Sequence, residues 1–125
     1  MKKLTPVLYV EEIESALPFW MERLGFEKTA EVPHGDRLGF VILQKGGVEV
    51  MYQTRDSVRE DLPELAGTPM GGSMLFMEVD DLDEVERALQ GIEPVTPRRT
   101  TFYGAEELIV REPAGNVVTF ARFPE

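Results

Sequence analysis

Cysteine is absent from this chain of 125 residues. Its absence excludes disulfides, a thiolate nucleophile and a cysteine-based zinc site. Histidine is nearly absent too. His34 is the only one, it falls in a predicted turn where it reads as a solvated residue, and no serine lies near it in sequence. Nucleophilic catalysis by a Ser–His or Cys–His pair therefore has little to work with. Basic residues are few: 13 Lys and Arg stand against 23 Asp and Glu, a formal net charge of −10. That argues against nucleic acid as a partner, because nucleic acid wants a basic face. It favours solubility, and it fits a cationic ligand that an acidic surface would steer inward. No apolar run approaches the length of a membrane span. Lys2 and Lys3 are followed by no apolar stretch, so no signal peptide, no membrane partner and a cytoplasmic location are expected. Phosphate-cradling loops are missing as well. Gly46-Gly47 and Gly71-Gly72 lack the surrounding motifs of such loops and read as hairpin and linker glycines.

What is present is enough for one ordinary domain, with 42% hydrophobic residues to bury. Leu4 to Val10 reads as a strand near an edge, with Pro6 close to its start. Ile13, Ala16, Leu17, Trp20 and Leu24 then fall on one face of a helix that Gly25 ends. Strands follow over 26–32, 39–44 and 48–53, with turns at His34-Gly35-Asp36 and Gly46-Gly47. Residues 55–72 are polar, contain Pro63 and Pro69, and read as a linker in which Ser57 with Glu60 caps a short helix. After it come a strand at 74–79, a helix capped by Asp81 with Glu84 and buried through Leu82, Val85 and Leu89, and then loop and strand over 93–101. Strands at 107–111 and 116–122 complete the chain.

The order strand–helix–three strands thus occurs twice. Val10-Glu11-Glu12-Ile13 matches Val79-Asp80-Asp81-Leu82, and the stretch from Ile42 to Tyr52 matches that from Ile109 to Phe120. The expected fold class is α+β: two βαβββ modules in tandem, eight mostly antiparallel strands forming open cups, and helices on the convex face. One domain spans 1–125, with module one at 1–54, the linker at 55–72 and module two at 73–125. Neither half can cover its sheet alone, so the two should share a core and carry the chemistry on the concave side.

That repeat, the helix end FWMERLGF (Phe19 to Phe26) and the tail REPAGNVVTF (Arg111 to Phe120) resemble the vicinal oxygen chelate superfamily. This group includes glyoxalase I, extradiol dioxygenases, fosfomycin resistance enzymes and bleomycin resistance proteins. The nearest likeness is to the bleomycin resistance proteins. It is carried by Tyr103-Gly104-Ala105-Glu106, an apolar strand and the turn Glu112-Pro113-Ala114-Gly115-Asn116. The resemblance implies a paired βαβββ fold and a homodimer. It also implies metal-ligand positions on the first and last strand of each module, filled in metal-using members by His, Gln or Glu. Here those positions hold Thr5, Met51, Met74 and Thr119. A thioether is soft and a neutral hydroxyl is a weak donor, so none suits a divalent cation.

Strand alternation assigns the rest of the cup. Thr5, Val7 and Tyr9 share a face, as do Glu49, Met51 and Gln53, then Met74, Phe76 and Glu78, then Val117, Thr119 and Ala121. The opposite faces, with Leu8, Val10, Val50, Tyr52, Leu75, Val79, Val118 and Phe120, suit packing under helices. The expected ligand-binding residues are Thr5, Tyr9, Glu49, Met51, Met74, Phe76, Glu78, Tyr103, Glu106 and Thr119, with no catalytic residue, metal ligand or cofactor. Aromatics and methionines would meet a planar or cationic molecule, and the carboxylates would answer its charge. The leading reading is a metal-free protein that sequesters a small aromatic or cationic ligand, with antibiotic resistance as its setting. Two others stand beside it: a metal-dependent lyase, isomerase or dioxygenase with a non-standard site, and a purely structural dimerisation module.

Overall fold

In the computed structural model, which describes residues 1–124, the chain divides into two compact units, residues 1–71 and 72 onward. Each carries one four-stranded sheet. In the first, β1 (Val7–Val10), β2 (Glu27–His34), β3 (Arg37–Lys45) and β4 (Val48–Thr54) lie in the order β1-β4-β3-β2. In the second, β5 (Met74–Glu78), β6 (Thr96–Thr100), β7 (Glu106–Arg111) and β8 (Val117–Arg122) lie in the order β5-β8-β7-β6. The first and last strands of each set pair in parallel and all other pairs are antiparallel. The fold class is therefore the expected α+β, with two open mixed sheets from tandem modules.

Both outer strands of the hairpin side carry a proline. Pro33 in β2 and Pro97 in β6 each coincide with a shift of register. Proline cannot donate to a ladder, so it is tolerated at an edge or a bulge. The hairpin between β3 and β4 turns at Gly46, whose φ of +57° is open to glycine at little cost.

The first helix departs from its expected form. A 3₁₀ turn at Glu14–Ala16 leads into a π-helical segment at Pro18–Arg23. Pro18 has no N–H to give, so a regular ladder cannot pass through it. The mixture of tight and wide turns rotates the buried face. Ile13, Ala16, Trp20 and Leu24 are buried as expected, but Leu17 is only half-buried and Phe19 takes a place in the core. Trp20 meets Phe19 and Phe26 edge-on, at centroid distances of 5.1 and 5.0 Å. Beneath them lie Leu8, Val10, Val41, Leu43, Val50 and Tyr52, all buried.

The expected linker is partly helical and lies within the first unit. It holds α1 (Arg55–Asp61) and a 3₁₀ turn at Pro63–Leu65. The cap is Thr54, not Ser57. The Ser57 N–H donates to Thr54 Oγ1 at 3.2 Å, because Thr54 keeps extended geometry at the end of β4 while Ser57 is already helical. In the second unit α2 (Leu82–Ala88) starts as expected, with the Glu84 N–H donating to Asp81 Oδ1 at 3.0 Å. Leu82 and Leu89 are buried and Val85 half-buried. The turn before β8 is locked from within. The Asn116 N–H donates to Glu112 Oε1 at 2.6 Å, and Asn116 Oδ1 accepts the Ser73 N–H at 3.0 Å, which fixes the entry to β5. Among the described residues no helix is long and apolar enough to cross a membrane.

One polar contact sits in the middle of the first core. Trp20 Nε1–H donates to the Tyr52 hydroxyl at 2.7 Å, and both residues are fully buried. Tyr52→Phe would leave that N–H buried without its partner, which costs about 1–3 kcal/mol. Urea unfolding followed by the fluorescence of Trp20, the only tryptophan, should show a lower midpoint at an unchanged slope.

Candidate functional site

Strand parity divides each sheet into a covered face and an open one. On the first sheet Val7 lies opposite Met51 and Met51 opposite Ile42, while Tyr9, Gln53, Phe40 and Val32 form the next row. All of these are half-buried or exposed, whereas Leu8, Val41, Val50 and Tyr52 on the other face are buried. Thr5, Tyr9, Glu49 and Met51 therefore share one open face. Their polar groups are already engaged. Thr5 Oγ1 donates to Glu49 Oε1 at 2.9 Å, and Lys3 Nζ reaches the same oxygen at 2.9 Å. The Tyr9 hydroxyl donates to the Ala66 carbonyl at 2.7 Å, which ties the segment after α1 to β1. The Glu49 side chain is only 12% exposed. The hydrogen bond from Lys3, followed by that from Thr5, holds its carboxyl below the usual range despite some desolvation.

Beside Tyr9 this face opens into a groove of about 620 Å³ whose lining includes Val32, His34, Phe40, Gln53, Ser57 and Glu60. His34 is not the solvated turn residue expected from its neighbours. It is the last residue of β2, its side chain is 34% exposed, and Nδ1 lies 3.4 Å from Glu60 Oε2. Gly39 makes this possible. A Cβ there would lie 2.8 Å from the His34 Cβ and 3.2 Å from the Ser57 Cβ, so only glycine lets β2 and α1 come this close. Gln53 was expected on this face with Glu49 and Met51, whereas Phe40 and His34 were not expected to line it. Alternation already separates Phe40 and Ile42 from the buried Val41 and Leu43, so that signal was available for Phe40.

The second sheet presents Met74, Phe76 and Glu78 from β5 and Thr119 from β8 on one open face, with Phe76 directly opposite Thr119. Ala121, on the same face, is fully buried. Here the aromatic residues gather. Tyr103 stacks on Phe123 at 5.9 Å with 29° between the rings, Phe123 lies 6.1 Å from Phe76, and Phe102 meets Tyr103 edge-on at 5.0 Å. Met74, Phe76, Phe102, Tyr103 and Phe123 are all exposed.

Glu106 is not brought to this face. It shares the covered side with Leu108 and Val110, where Arg98 Nη2 holds it at 3.1 Å while Nη1 reaches Asp83 on α2 at 2.6 Å. The carboxylate on the aromatic face is its neighbour Glu107, opposite Ala121 on β8 and Arg99 on β6. A step of one residue along a strand changes the face, and here it exchanges one glutamate for another. Glu107 is buried, receives Arg99 Nη2 at 2.9 Å and accepts the Tyr103 hydroxyl. That hydrogen bond, with some desolvation, raises the Tyr103 phenol above the usual tyrosine range.

The donor set does not fit a metal. Thr5 sits beside Glu49 and Met51 opposite Val7, while Met74 lies opposite Val117 and Thr119 opposite Phe76. The one carboxylate close to these positions on the first sheet, Glu49, is committed to Lys3 and Thr5. Among the described residues no group of three or more His, Asp or Glu side chains could hold an ion.

The sequence profile of the glyoxalase/bleomycin resistance protein/dioxygenase superfamily matches residues 4–120. The chain belongs to this superfamily. No curated protein matches it, but solved structures of the superfamily's fold do. TioX from Micromonospora sp. ML1 has a TM-score of 0.77 at 19% identity, covering 99% of this chain and 100% of its own. A lactoylglutathione lyase from Agrobacterium tumefaciens has a TM-score of 0.77 at 18% identity, covering 98% and 94%. A bleomycin-binding protein complexed with bleomycin has a TM-score of 0.68 at 22% identity, covering 99% and 100%. At such identities the likeness is one of fold, and this superfamily member's chemistry must be read from its own residues.

The Glu49 carboxyl is held low in the folded protein, so its stabilising contribution is present above the ordinary glutamate value and is lost as pH falls through the depressed one. Lys3→Ala removes the largest cause. An NMR titration of the side-chain carboxyl should then show Glu49 moving up towards the ordinary value of 4.5. An unmoved midpoint would mean that Lys3 does not hold the group in solution.

Proposed function

We propose that this superfamily member is a metal-free small-molecule-binding protein, cytoplasmic and homodimeric, that holds an aromatic or cationic ligand without transforming it. The observation that carries the reading is the exposed group of Phe76, Tyr103 and Phe123 on the open face of the second sheet. Soluble chains seldom leave several adjacent rings in water unless something covers them. Rings in this arrangement offer stacking surface to a planar ligand and a negative face to a cation. Glu78, exposed and two residues from Phe76 on the same face, supplies a charge for a cationic group. The first sheet has its own, more polar open face with Thr5, Tyr9 and Met51, and the acidic balance of the chain favours cations in general. The bleomycin-binding relative makes bleomycin the first candidate to try.

Two measurements test the reading. Calorimetry against bleomycin, ethidium and a neutral planar control should find binding of at least one. Tyr103→Ala should weaken it about threefold to tenfold, since a ring contact is worth roughly 0.5–1.5 kcal/mol beyond area. Light scattering should give about twice the chain mass, the two-fold dimer being the commonest oligomer. If no compound binds while Tyr103→Ala dissociates the dimer, the rings serve an interface and a structural module becomes the better account.

A further inference from the structure

An exposed aromatic side chain on a loop normally samples several rotamers, and each one lost on binding weakens the complex. Tyr103 is such a residue. It lies between β6 and β7, close to the loop tip, and is 45% exposed. The loop backbone is well closed, with Thr101 N–H donating to the Ala105 carbonyl at 2.8 Å and Ala105 N–H donating to Thr101 Oγ1 at 3.1 Å. Those bonds hold the chain but leave the ring free to turn. The ring nevertheless stacks on Phe123, inclined to it by 29°. Two side chains reach the polar end of the ring: the hydroxyl donates to Glu107 Oε2, the contact with the larger effect on the phenol, and it also meets the Thr101 side chain.

Glu107 is an unusual group to find there. It is 3% exposed in a strand of a small sheet, and a buried carboxylate is costly unless it is paired and hydrogen-bonded. Its two oxygens are divided between two partners. Oε1 takes both Arg99 Nε at 3.2 Å and Arg99 Nη2 at 2.9 Å, and Oε2 takes the Tyr103 hydroxyl. Arg99 is opposite Glu107 in the β6–β7 register, so the carboxylate is oriented from the sheet and presents its second oxygen to the loop.

We infer that Glu107 is a positioning residue for ligand binding: anchored by Arg99, it grips the Tyr103 hydroxyl and fixes that ring in the plane that stacks on Phe123. This rests on the proposed binding function for its effect on affinity, but not for the grip itself. The raised phenol of Tyr103 agrees with it, since a bond in which the hydroxyl donates to a carboxylate favours the protonated phenol. A merely structural Glu107 would tie β6 to β7 through Arg99 and leave the ring at position 103 indifferent to its hydroxyl.

The test uses Tyr103→Phe, which keeps the ring and the Arg99–Glu107 pair, together with Glu107→Gln and the double variant. NMR of the unliganded full chain reads the ring-current shift of the residue 103 ring protons, assigned by comparison with Tyr103→Ala. Both single variants should move these resonances towards their unstructured positions, and Glu107→Gln should bring the Tyr103 phenol titration down towards the ordinary range. Ethidium affinity, read by calorimetry, should fall about threefold in Tyr103→Phe. It should fall no further in the double variant, because the two groups act through one bond. Unchanged ring shifts in Tyr103→Phe overturn the inference whatever ethidium does, and this variant stands even if Glu107→Gln fails to fold. Changed ring shifts with no ethidium binding by the wild type would uphold the grip and count against the proposed function. Additive losses of affinity would overturn the inference while leaving that function intact.

Discussion

Each sheet is organised around the inner strand that joins its parallel and antiparallel parts, β4 in the first unit and β8 in the second, with a parallel neighbour on one side and an antiparallel neighbour on the other. A strand bonded along both edges cannot slip without breaking two ladders, and a slip of one residue would expose its apolar set. The parity of β4 and β8 is thereby held, and with it the identity of every side chain on the open faces. Val50 and Tyr52, like Val118 and Phe120, go under the helical segments. Met51 and Thr119 are left on the open faces, half-buried. The character of the site follows from this alternation before any particular contact is considered.

Within that frame the few basic residues have been placed against specific acids. Lys3 meets Glu49, Arg99 meets Glu107, and Arg98 joins β6 to α2 through Asp83 and Glu86 while also holding Glu106. Isolated pairs at a surface contribute little. Arg98 is a small network rather than a pair, and its bond to Asp83 holds that carboxyl below the usual range. Such pairing quiets the carboxylates nearest the strand ends. Glu78, by contrast, stays exposed beside the rings.

Much of this was legible in the residues. The doubled order of elements, the faces of the central strands and the Asp81 cap all follow from patterns of period two or three to four and from one capping side chain. The errors came where a local rule has a neighbour that satisfies it equally well. Thr54 and Ser57 are both capping residues, and only the path of β4 into α1 chooses between them. Glu106 and Glu107 are adjacent and chemically identical, and their faces depend on the β7–β8 register. Pro18 announces a disturbance in the first helix, but whether the chain tightens, widens or stops there is decided by what Trp20 and Phe19 can pack against.

The sequence by itself determined the fold class, the doubling of the module, the lack of cysteine with a single histidine, and the aromatic character of the loop at Phe102 and Tyr103. These are properties of composition and periodicity, which need no distant partner to be read. Only the tertiary structure decided that His34 lies against Gly39 and near Glu60, that Lys3 neutralises Glu49, and that Tyr103 stacks on Phe123 with its hydroxyl on a buried Glu107. Most of these contacts join residues far apart in the chain or depend on a pairing register. Side-chain pairing across a fold is set by register and loop closure, and neither is carried by the local sequence on which a linear reading depends.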